Sequence, residues 1–270
     1  MIRITGLHKT FNPGTHNEVR ALRGIDLDVR AGDFVTIIGT NGSGKSTLLN
    51  AVAGTFLPDQ GTIRIADEDV TRKRDFQRAR NVARVFQSPF MGTAPDMTIA
   101  ENLHMANLRG RRRLPRIGLT PDQSGQYGKE IAQLEMGLEG RLDNIIGSLS
   151  GGQRQAITLL MGVIARPKVL LLDEHTAALD PKSAAQVVDL TRRFVERDHL
   201  TTLMVTHSMQ QALDLGNRTI MMNKGEIIEE LGLSEKRNAT VDDLLDRFAD
   251  LRKSERLTEA MLEELRREYV

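Results

Sequence analysis

The stretch GTNGSGKST, residues Gly39 to Thr47, carries three glycines and one lysine directly after the apolar run at 34–38. That run is short and almost entirely apolar, which is typical of a strand covered on both faces. The residues after the glycines, 46–53, favour a helix that stops near Gly54. A glycine-rich loop between a buried strand and a helix N-terminus is the arrangement that binds phosphate, and a plain glycine turn is the competing interpretation.

The spacing within this stretch matches the complete phosphate-loop pattern, because Gly39 is followed after four residues by Gly44, Lys45 and Ser46. Glycines let backbone N–H groups turn toward a phosphate without a Cβ in the way. We expect Lys45 to reach the β- and γ-phosphates of a nucleotide, and the Ser46 hydroxyl to bind Mg²⁺. The predicted nucleotide contacts in the loop are Asn41, Gly42, Ser43, Gly44, Lys45, Ser46 and Thr47.

The composition limits the classes of function. A formal net charge of +1 gives no support for a nucleic-acid-binding protein. The absence of cysteine excludes disulfides, thiol catalysis and cysteine-bound metal, and it fits a reducing cytoplasm. The N-terminal stretch MIRITGLHKTF favours a short strand and lacks the apolar core of a signal peptide. No apolar run approaches the roughly 20 residues that a membrane-spanning helix needs, so we expect any membrane work to go through partners.

Two adjacent acidic residues follow a second predicted buried strand at 168–172. Alone, Asp173 and Glu174 would be explained equally well as a polar turn. Beside a phosphate loop the functional interpretation is favoured, since nucleotide hydrolysis needs a metal ligand and a base. We expect Asp173 to hold Mg²⁺ through water and Glu174 to polarise the attacking water.

A second candidate anion site is the sequence LSGGQRQ, residues 149–155, which is predicted to open a helix. Ser150 and the two glycines offer hydrogen-bond donors there, although a simple Ser N-cap would look the same. The chain then has two candidate phosphate-binding sites but only one expected nucleotide, so the second site needs an explanation. A head-to-tail dimer supplies one, because the LSGGQ of each chain then caps the nucleotide of the other.

With these motifs in this order, the chain resembles the nucleotide-binding subunit of an ATP-binding cassette (ABC) transporter over about residues 2–230. Gln87, after the predicted strand at 82–86, resembles the glutamine of the family's Q-loop. The sequence Ala178-Leu179-Asp180 resembles the D-loop. His207, after the predicted strand at 200–206, resembles the switch histidine. The chain departs from the family's common pattern at His175, where importers often have proline, and at Ala156.

The resemblance implies a role for each matching residue, with ATP and Mg²⁺ as cofactors. The implied catalytic residues are Lys45, Gln87, Glu174 and His207, and the implied metal ligands are Ser46, Gln87 and Asp173. Further implied nucleotide contacts are Phe11, which stacks on adenine, Val19, which packs nearby, Gln87, Ser150, Gly151, Gly152, Gln153 and Asp180.

The predicted fold class is α/β: a P-loop NTPase (RecA-like) core with an N-terminal antiparallel β subdomain, a helical signature subdomain and a C-terminal helical tail. We expect an ABC ATPase domain at 1–232, with the helical subdomain inserted at about 88–160, and amphipathic helices at 233–270. Further predictions are strands at 2–4, 25–29 and 61–65, helices at 99–108 and 126–138, and a hairpin around Lys224-Gly225. Apolar residues recur at helical spacing in two parts of the tail: Val241, Leu244, Leu245, Phe248 and Leu251, then Leu257, Met261, Leu262 and Leu265.

The implied function is an ATPase subunit that dimerises around two ATP–Mg²⁺ and drives a separate transmembrane permease at the cytoplasmic face of the inner membrane. Small-solute import with an extracytoplasmic substrate-binding protein is the favoured form, and no nucleic-acid partner is expected. A separate-subunit exporter ATPase and a soluble cassette, for example in iron–sulfur assembly, stay open as alternatives. A P-loop fold that only binds is disfavoured by the intact Glu174 and His207.

Two segments have open interpretations. Residues 88–108 contain methionines and other apolar residues, which fits either a groove for a cytoplasmic helix of the permease or the core of a helical subdomain. The run from Arg109 to Arg116 contains five arginines. It would suit anionic lipid headgroups, but a solvated loop is the favoured interpretation.

Overall fold

The computed structural model describes residues 1–110 and 118–253, and it describes side chains up to Phe248. The helices and strands are, in chain order, β1 (Ile2–Phe11), β2 (Val19–Val29), β3 (Phe34–Gly39), α1 (Lys45–Ala53), β4 (Gln60–Ile65), β5 (Glu68–Asp69), α2 (Asp75–Arg78), β6 (Val82–Val85), α3 (Ile99–Asn107), α4 (Pro121–Ala132), α5 (Gly151–Val163), β7 (Val169–Asp173), α6 (Pro181–Asp198), β8 (Thr201–Val205), α7 (Met209–Asp214), β9 (Arg218–Asn223), β10 (Glu226–Leu231), α8 (Leu233–Asn238) and α9 (Val241–Lys253), with a 3-10 turn at Ile146–Ser148.

The chain forms two compact units. The first contains Met1–Leu49, Pro58–Asp69 and the chain from Leu203 onward, and the second contains Asn50–Leu57 and Val70–Thr202. The predicted helical insertion at 88–160 lies within the range of the second unit. The predicted division into 1–232 and 233–270 stays a prediction. No helix among the described residues has the length and apolarity needed to cross a membrane.

The first unit contains an antiparallel sheet with the strand order β2-β1-β4-β5. Ile2 and Ile4 of β1 are buried while Arg3 and Thr5 are exposed, which is the alternation expected of a sheet with one covered face. In the register, Ile2 pairs with Val29 of β2 on one side and with Ile65 of β4 on the other. The predicted strands at 2–4 and 25–29 were too short, because both continue through irregular register to Phe11 and Val19.

The strand before the glycine stretch, β3, is buried at every position and pairs in parallel with β9. The predicted hairpin around Lys224-Gly225 is confirmed by the antiparallel pairing of β9 with β10. Lys224 and Gly225 both have positive φ angles, 45° and 85°, as a tight hairpin turn requires. A fully covered parallel strand therefore ends at the phosphate-loop sequence, as its apolar composition predicts.

Helix α9 corresponds to the first of the two amphipathic helices predicted in the tail. Its Leu244 and Phe248 are buried in a cluster of the first unit that also contains Ile38 of β3 and Met221 of β9. The first tail helix therefore covers the core of this unit, on the strand that leads to the glycine loop. The second predicted helix, with Leu257, Met261, Leu262 and Leu265, lies outside the described residues.

The second unit pairs β6 and β7 in parallel, from Val82 opposite Val169 to Val85 opposite Leu172. Its helices are amphipathic, and α5 is buried along most of its length. The predicted helix at 126–138 was misplaced: α4 begins at Pro121 and ends at Ala132. Thr120 caps it with Gln123 in a capping box, and Pro121 stands in its first turn, so local start signals outweighed the apolar spacing further along.

Candidate functional site

The glycine stretch, Gly39 to Ser46, is a phosphate loop in its geometry as well as its sequence. Gly39, Gly42 and Gly44 have φ angles of 155°, 76° and 100°, which side-chain-bearing residues rarely adopt. A Cβ at Gly44 would stand 2.5 Å from the carbonyl oxygen of Ala21, and one at Gly39 would stand 2.3 Å from that of Met222. The loop therefore needs glycine both for its backbone angles and for the close approach of neighbouring strands.

Lys45 opens α1 and folds its side chain back over this loop. Its Nζ donates to the carbonyl oxygens of Gly39 at 2.6 Å and Thr40 at 3.1 Å, and the residue is 5% exposed. The Ser43 hydroxyl is also buried and has no hydrogen-bond partner among the described residues. A buried ammonium, an unsatisfied hydroxyl and a helix N-terminus together form a site whose chemistry fits an anion, and a phosphate in particular.

The two residues predicted to contact adenine meet at the end of the first hairpin. Phe11 of β1 and Val19 of β2 are direct cross-strand partners. Val19 is 54% exposed, and the Nζ of Lys9 lies 5.5 Å from the centroid of the Phe11 ring. A half-buried Phe11 and an exposed Val19 beside a cation suit a flat aromatic ring. The pairing of residues eight apart follows from the hairpin, not from the local sequence.

In the second unit, the predicted metal ligand Asp173 ends β7. Its Oδ2 accepts a hydrogen bond of 2.7 Å from a terminal nitrogen of Arg84, and the two side chains are 13% and 16% exposed. Sequence analysis missed Arg84. The only available signal was its position on β6, three residues before Gln87, on the strand that pairs in parallel with β7.

The predicted base, Glu174, is half-buried and has a φ angle of 49°, in the left-handed region. Such a backbone costs on the order of 1 kcal/mol or more for a residue with a side chain, and it persists only where neighbours hold it. The N–H of Ala177 donates to the Glu174 carbonyl at 3.0 Å and closes the turn. This held conformation sets the direction in which the carboxylate leaves the strand.

His175, which departs from the common family pattern, is completely buried in the second unit. The hydroxyl of Thr191 donates to the Val187 carbonyl at 2.8 Å, so it accepts from Nε2 of His175 at 2.9 Å. Burial lowers the pKa of His175 to about 4, so the ring is neutral at physiological pH. The histidine therefore ties the loop after β7 to α6, next to Glu174.

The LSGGQ sequence, residues Leu149 to Gln153, is called the signature loop below. Ser150 is exposed and is the N-cap of α5: its Oγ accepts from the Gln153 N–H at 3.3 Å, and the Gln153 side chain accepts from the Ser150 N–H at 3.4 Å. The capping box that was the plain alternative is therefore present. A Cβ on Gly152 would stand 2.5 Å from Oγ of Ser183, so this glycine permits close packing with α6.

Gln155, just beyond the signature loop, has a contact that sequence analysis missed. It is buried, and its Nε2 donates to the carbonyl oxygen of Phe86 at 3.1 Å. Phe86 immediately precedes Gln87, whose side chain is exposed. The helix that follows the signature loop therefore holds the start of the predicted Q-loop through a single side chain. Gln155 belongs to the LSGGQRQ sequence, but the carbonyl group that it contacts lies 69 residues away in the chain. The motif alone therefore did not predict this contact.

Asp180 and His207, the remaining predicted site residues, also stand at helix starts. Asp180 is the exposed N-cap of α6, and hydrogen bonds from Ser183 lower its pKa. In the first unit, half-buried His207 lies between β8 and α7. The residue before it, Thr206, donates its N–H to the Ile37 carbonyl of β3 at 3.2 Å. His207 thus follows a strand end anchored beside the strand of the phosphate loop.

Comparison with known proteins shows the family. The model of the family described as "ABC transporter" matches residues 22–177. The chain belongs to the ABC transporter family. A tyrosine transport ATP-binding protein of Clostridioides difficile (strain R20291) is 41% identical over 249 residues, which cover 92% of this chain and 98% of that relative. A sulfate/thiosulfate import ATP-binding protein, CysA 1 of Agrobacterium fabrum (strain C58 / ATCC 33970), is 35% identical over 91% of this chain and 65% of its own length.

A solved structure of an ABC cassette resembles the model at 27% identity with a TM-score of 0.72, covering 86% of this chain and 99% of that one. That cassette was solved as a dimer in a post-hydrolysis state, with ADP and phosphate bound. The predicted fold class, the resemblance and the assignment as an ATPase are confirmed by these matches. The chain is an ATPase subunit of an ABC transporter. The roles assigned to single residues stay predictions.

Proposed function

We propose that this subunit binds ATP through the phosphate loop and the Phe11–Val19 pair, hydrolyses it with Glu174 as the base, and drives a separate permease. The observation that carries the proposal is the buried Lys45 ammonium folded over the glycine loop beside the unsatisfied Ser43 hydroxyl. Asn41, Gly42, Gly44, Ser46 and Thr47 supply the remaining contacts of the loop. Backbone N–H groups at the N-terminus of α1 complete the cradle for the phosphates.

The residues proposed to hold Mg²⁺ are the Ser46 hydroxyl, the Gln87 side-chain amide and, through water, the Asp173 carboxylate. All three offer hard oxygen atoms and only one carries a charge, which fits a cation that keeps several of its waters. When bound, the metal would neutralise negative charge on the β- and γ-phosphates. Glu174 accepts a proton from the attacking water, and His207 hydrogen-bonds the γ-phosphate side of the nucleotide.

A head-to-tail dimer is part of the proposal. Ser150, Gly151, Gly152 and Gln153 of one copy cap the nucleotide of the other, and Asp180 lies in the same interface. Ser150 is exposed and is therefore accessible to a nucleotide held by another copy. The structurally similar cassette that was solved as a dimer with ADP and phosphate supports the proposed dimer. ATP then stabilises the closed dimer because its γ-phosphate contacts both chains.

We infer that the transported cargo is a small solute and that the direction is import. Support comes from relatives whose names are a tyrosine transport and a sulfate/thiosulfate import ATP-binding protein. The partners are then transmembrane permease subunits and an extracytoplasmic substrate-binding protein, with this subunit peripheral at the cytoplasmic face of the inner membrane. The 88–108 segment contributes to the permease contact, since Phe90, Met91 and Met105 are exposed there at 67%, 53% and 42%.

The predicted lipid contact of the arginine run concerns mainly residues outside the described part of the chain, since only Arg109 of that run is described. Arg109 itself is not a solvated side chain: it donates to the Gly162 carbonyl at 2.8 Å, and burial lowers its pKa. This arginine is therefore committed to packing against α5, and a lipid contact would have to come from its neighbours.

The test of the proposed activity is Glu174→Gln. We expect ATP hydrolysis to fall by about 10²- to 10⁴-fold, because an amide cannot accept the proton of the attacking water. ATP affinity should be unchanged, and a stable ATP-bound dimer should accumulate on a sizing column. Glu196→Gln, on the exposed face of α6, removes the same charge and should change neither quantity. A wild-type turnover rate in Glu174→Gln would refute the assignment.

The coupling to a permease is tested separately, by isolating the tagged chain from detergent-solubilised membranes. Co-purification of a multi-span protein together with a binding protein supports import. A multi-span protein alone, with export of a cargo in reconstituted vesicles, would reverse the proposed direction. Recovery of soluble partners only would favour a cassette that works outside transport.

A further inference from the structure

Arg84 makes two contacts that neither the phosphate loop nor the signature loop explains. One terminal nitrogen donates to Oδ2 of Asp173 at 2.7 Å, and the other donates to the side-chain oxygen of Asn50. Asn50 lies in α1, five residues after Lys45. The planar guanidinium thus spans the end of β7 and the helix that follows the phosphate loop. A side chain with a rigid fork is suited to holding two oxygens in one fixed geometry.

Arg84 also lies over the ring of Phe86, 4.6 Å from its centroid, which restricts the guanidinium to one plane. The Arg84 side chain is 16% exposed, so these contacts hold it in a largely buried position.

We propose that Arg84 is a positioning residue for Asp173. The inference rests on the proposed function, in which Asp173 holds the metal. Arg84 touches neither nucleotide nor metal in this scheme. It sets the orientation of the carboxylate through its hydrogen bond to Oδ2.

Two effects of Arg84 on metal binding oppose each other. Its positive charge partly neutralises Asp173 and so weakens the attraction for Mg²⁺. Its hydrogen bond fixes the rotamer of the carboxylate and so favours a hydrated ion that demands near-ideal geometry. We expect orientation to be the larger effect, because a water-mediated contact needs the carboxylate oxygen in one fixed position. Loss of partners that hold metal ligands costs about 10- to 100-fold in metal affinity.

The experiment measures equilibrium binding of a non-hydrolysable ATP analogue to the full chain, once with Mg²⁺ and once with EDTA. The ratio of the two affinities is called the Mg²⁺ gain. In Arg84→Met we expect the Mg²⁺ gain to fall by about 10-fold, while the affinity in EDTA stays unchanged. Arg84→Lys keeps the charge but reaches only one of the two oxygens, so it should recover part of the gain. Arg193→Met removes an exposed, ion-paired arginine of the same unit and should behave as wild type.

An unchanged Mg²⁺ gain in both Arg84 variants, or a larger gain, would overturn the positioning role. Thermal unfolding of each variant shows whether it is folded. If Arg84→Met does not fold, the Arg84→Lys result decides alone. If the wild-type chain binds the analogue neither with Mg²⁺ nor in EDTA, the proposed function fails as well. A chain that binds in EDTA and gains fully from Mg²⁺ without Arg84 refutes only this inference.

Discussion

The phosphate loop and the signature loop are both glycine-containing stretches that precede a helix, yet their glycines have different tasks. In the phosphate loop, Gly39, Gly42 and Gly44 adopt positive φ angles and create a cradle with a buried lysine at its base. In the signature loop, Gly151 and Gly152 are the first residues of α5 and do not have positive φ angles. The first loop is shaped for a ligand on its own, whereas the second is an ordinary cap whose proposed ligand comes with another chain.

The largest expected effect is on the ATP affinity of the monomer, which should depend on the phosphate loop and not on the signature loop. Lys45→Ala removes the buried ammonium, so ATP affinity should fall about 100-fold, which corresponds to the roughly 2–3 kcal/mol of a charge-assisted hydrogen bond. Equilibrium binding of ATP to the monomer measures this. Lys129→Ala, on the exposed side of α4, is the control. Unchanged ATP affinity in Lys45→Ala would show that the loop does not bind the phosphates.

A second substitution asks whether the signature loop acts on a partner's nucleotide. Ser150→Arg places a long side chain where the partner's γ-phosphate is proposed to bind. Monomer affinity for ATP should be unchanged, while ATP-driven dimerisation should weaken by at least about 10-fold, or ~1.4 kcal/mol. Analytical ultracentrifugation with ATP in the Glu174→Gln background measures the dimer. Ser234→Arg at an exposed position of α8 should leave it intact. If dimers form as before, capping across the interface is wrong.

The smallest effect concerns the packing role of the signature glycines. In Gly152→Ala the new Cβ would meet Cβ and Oγ of Ser183 at 2.6 and 2.5 Å, so we expect a loss of about 1 kcal/mol in the free energy of unfolding. Gly151→Ala is the matched variant, because its nearest neighbour, Leu179, stands at 3.7 Å. It should be neutral or stabilising by up to ~1 kcal/mol, as expected for Gly to Ala in a helix. Urea unfolding compares them, and equal stabilities would contradict the packing argument.

Elements with strong local signals were predicted close to their observed positions. The strand before the phosphate loop is predicted by a continuous apolar run, and the helix after it is bounded by glycines. Both signals can be identified from the sequence alone. The predicted helix at 126–138 differs from α4, because α4 begins at the Thr120 capping box and Pro121. Helix α6 was not predicted, although Asp180 and Pro181 are a standard helix start. That start had been interpreted only as a D-loop motif.

In the candidate site, too, local motifs could be predicted from the sequence and long-range contacts could not. Lys45, Ser150, Asp173, Glu174 and His207 could be named from the sequence because motif spacing identifies them. Their surroundings could not be named. The partner of Asp173 stands 89 residues away in the sequence, and no periodicity links the two. The buried environment of His175, which holds its pKa near 4, likewise depends on α6 packing over it.

By itself, the sequence determined the phosphate loop, the family and the identity of the acidic and signature residues, because each of these depends on residues that are neighbours in the chain. Only the tertiary structure decided that Phe11 pairs with Val19, that Gly152 packs against Ser183, and that Arg84 donates a hydrogen bond to Asp173. The physical reason is that strand register and helix packing bring distant residues to hydrogen-bond distance. Those long-range contacts, more than the motifs themselves, set the geometry around Asp173 and Glu174.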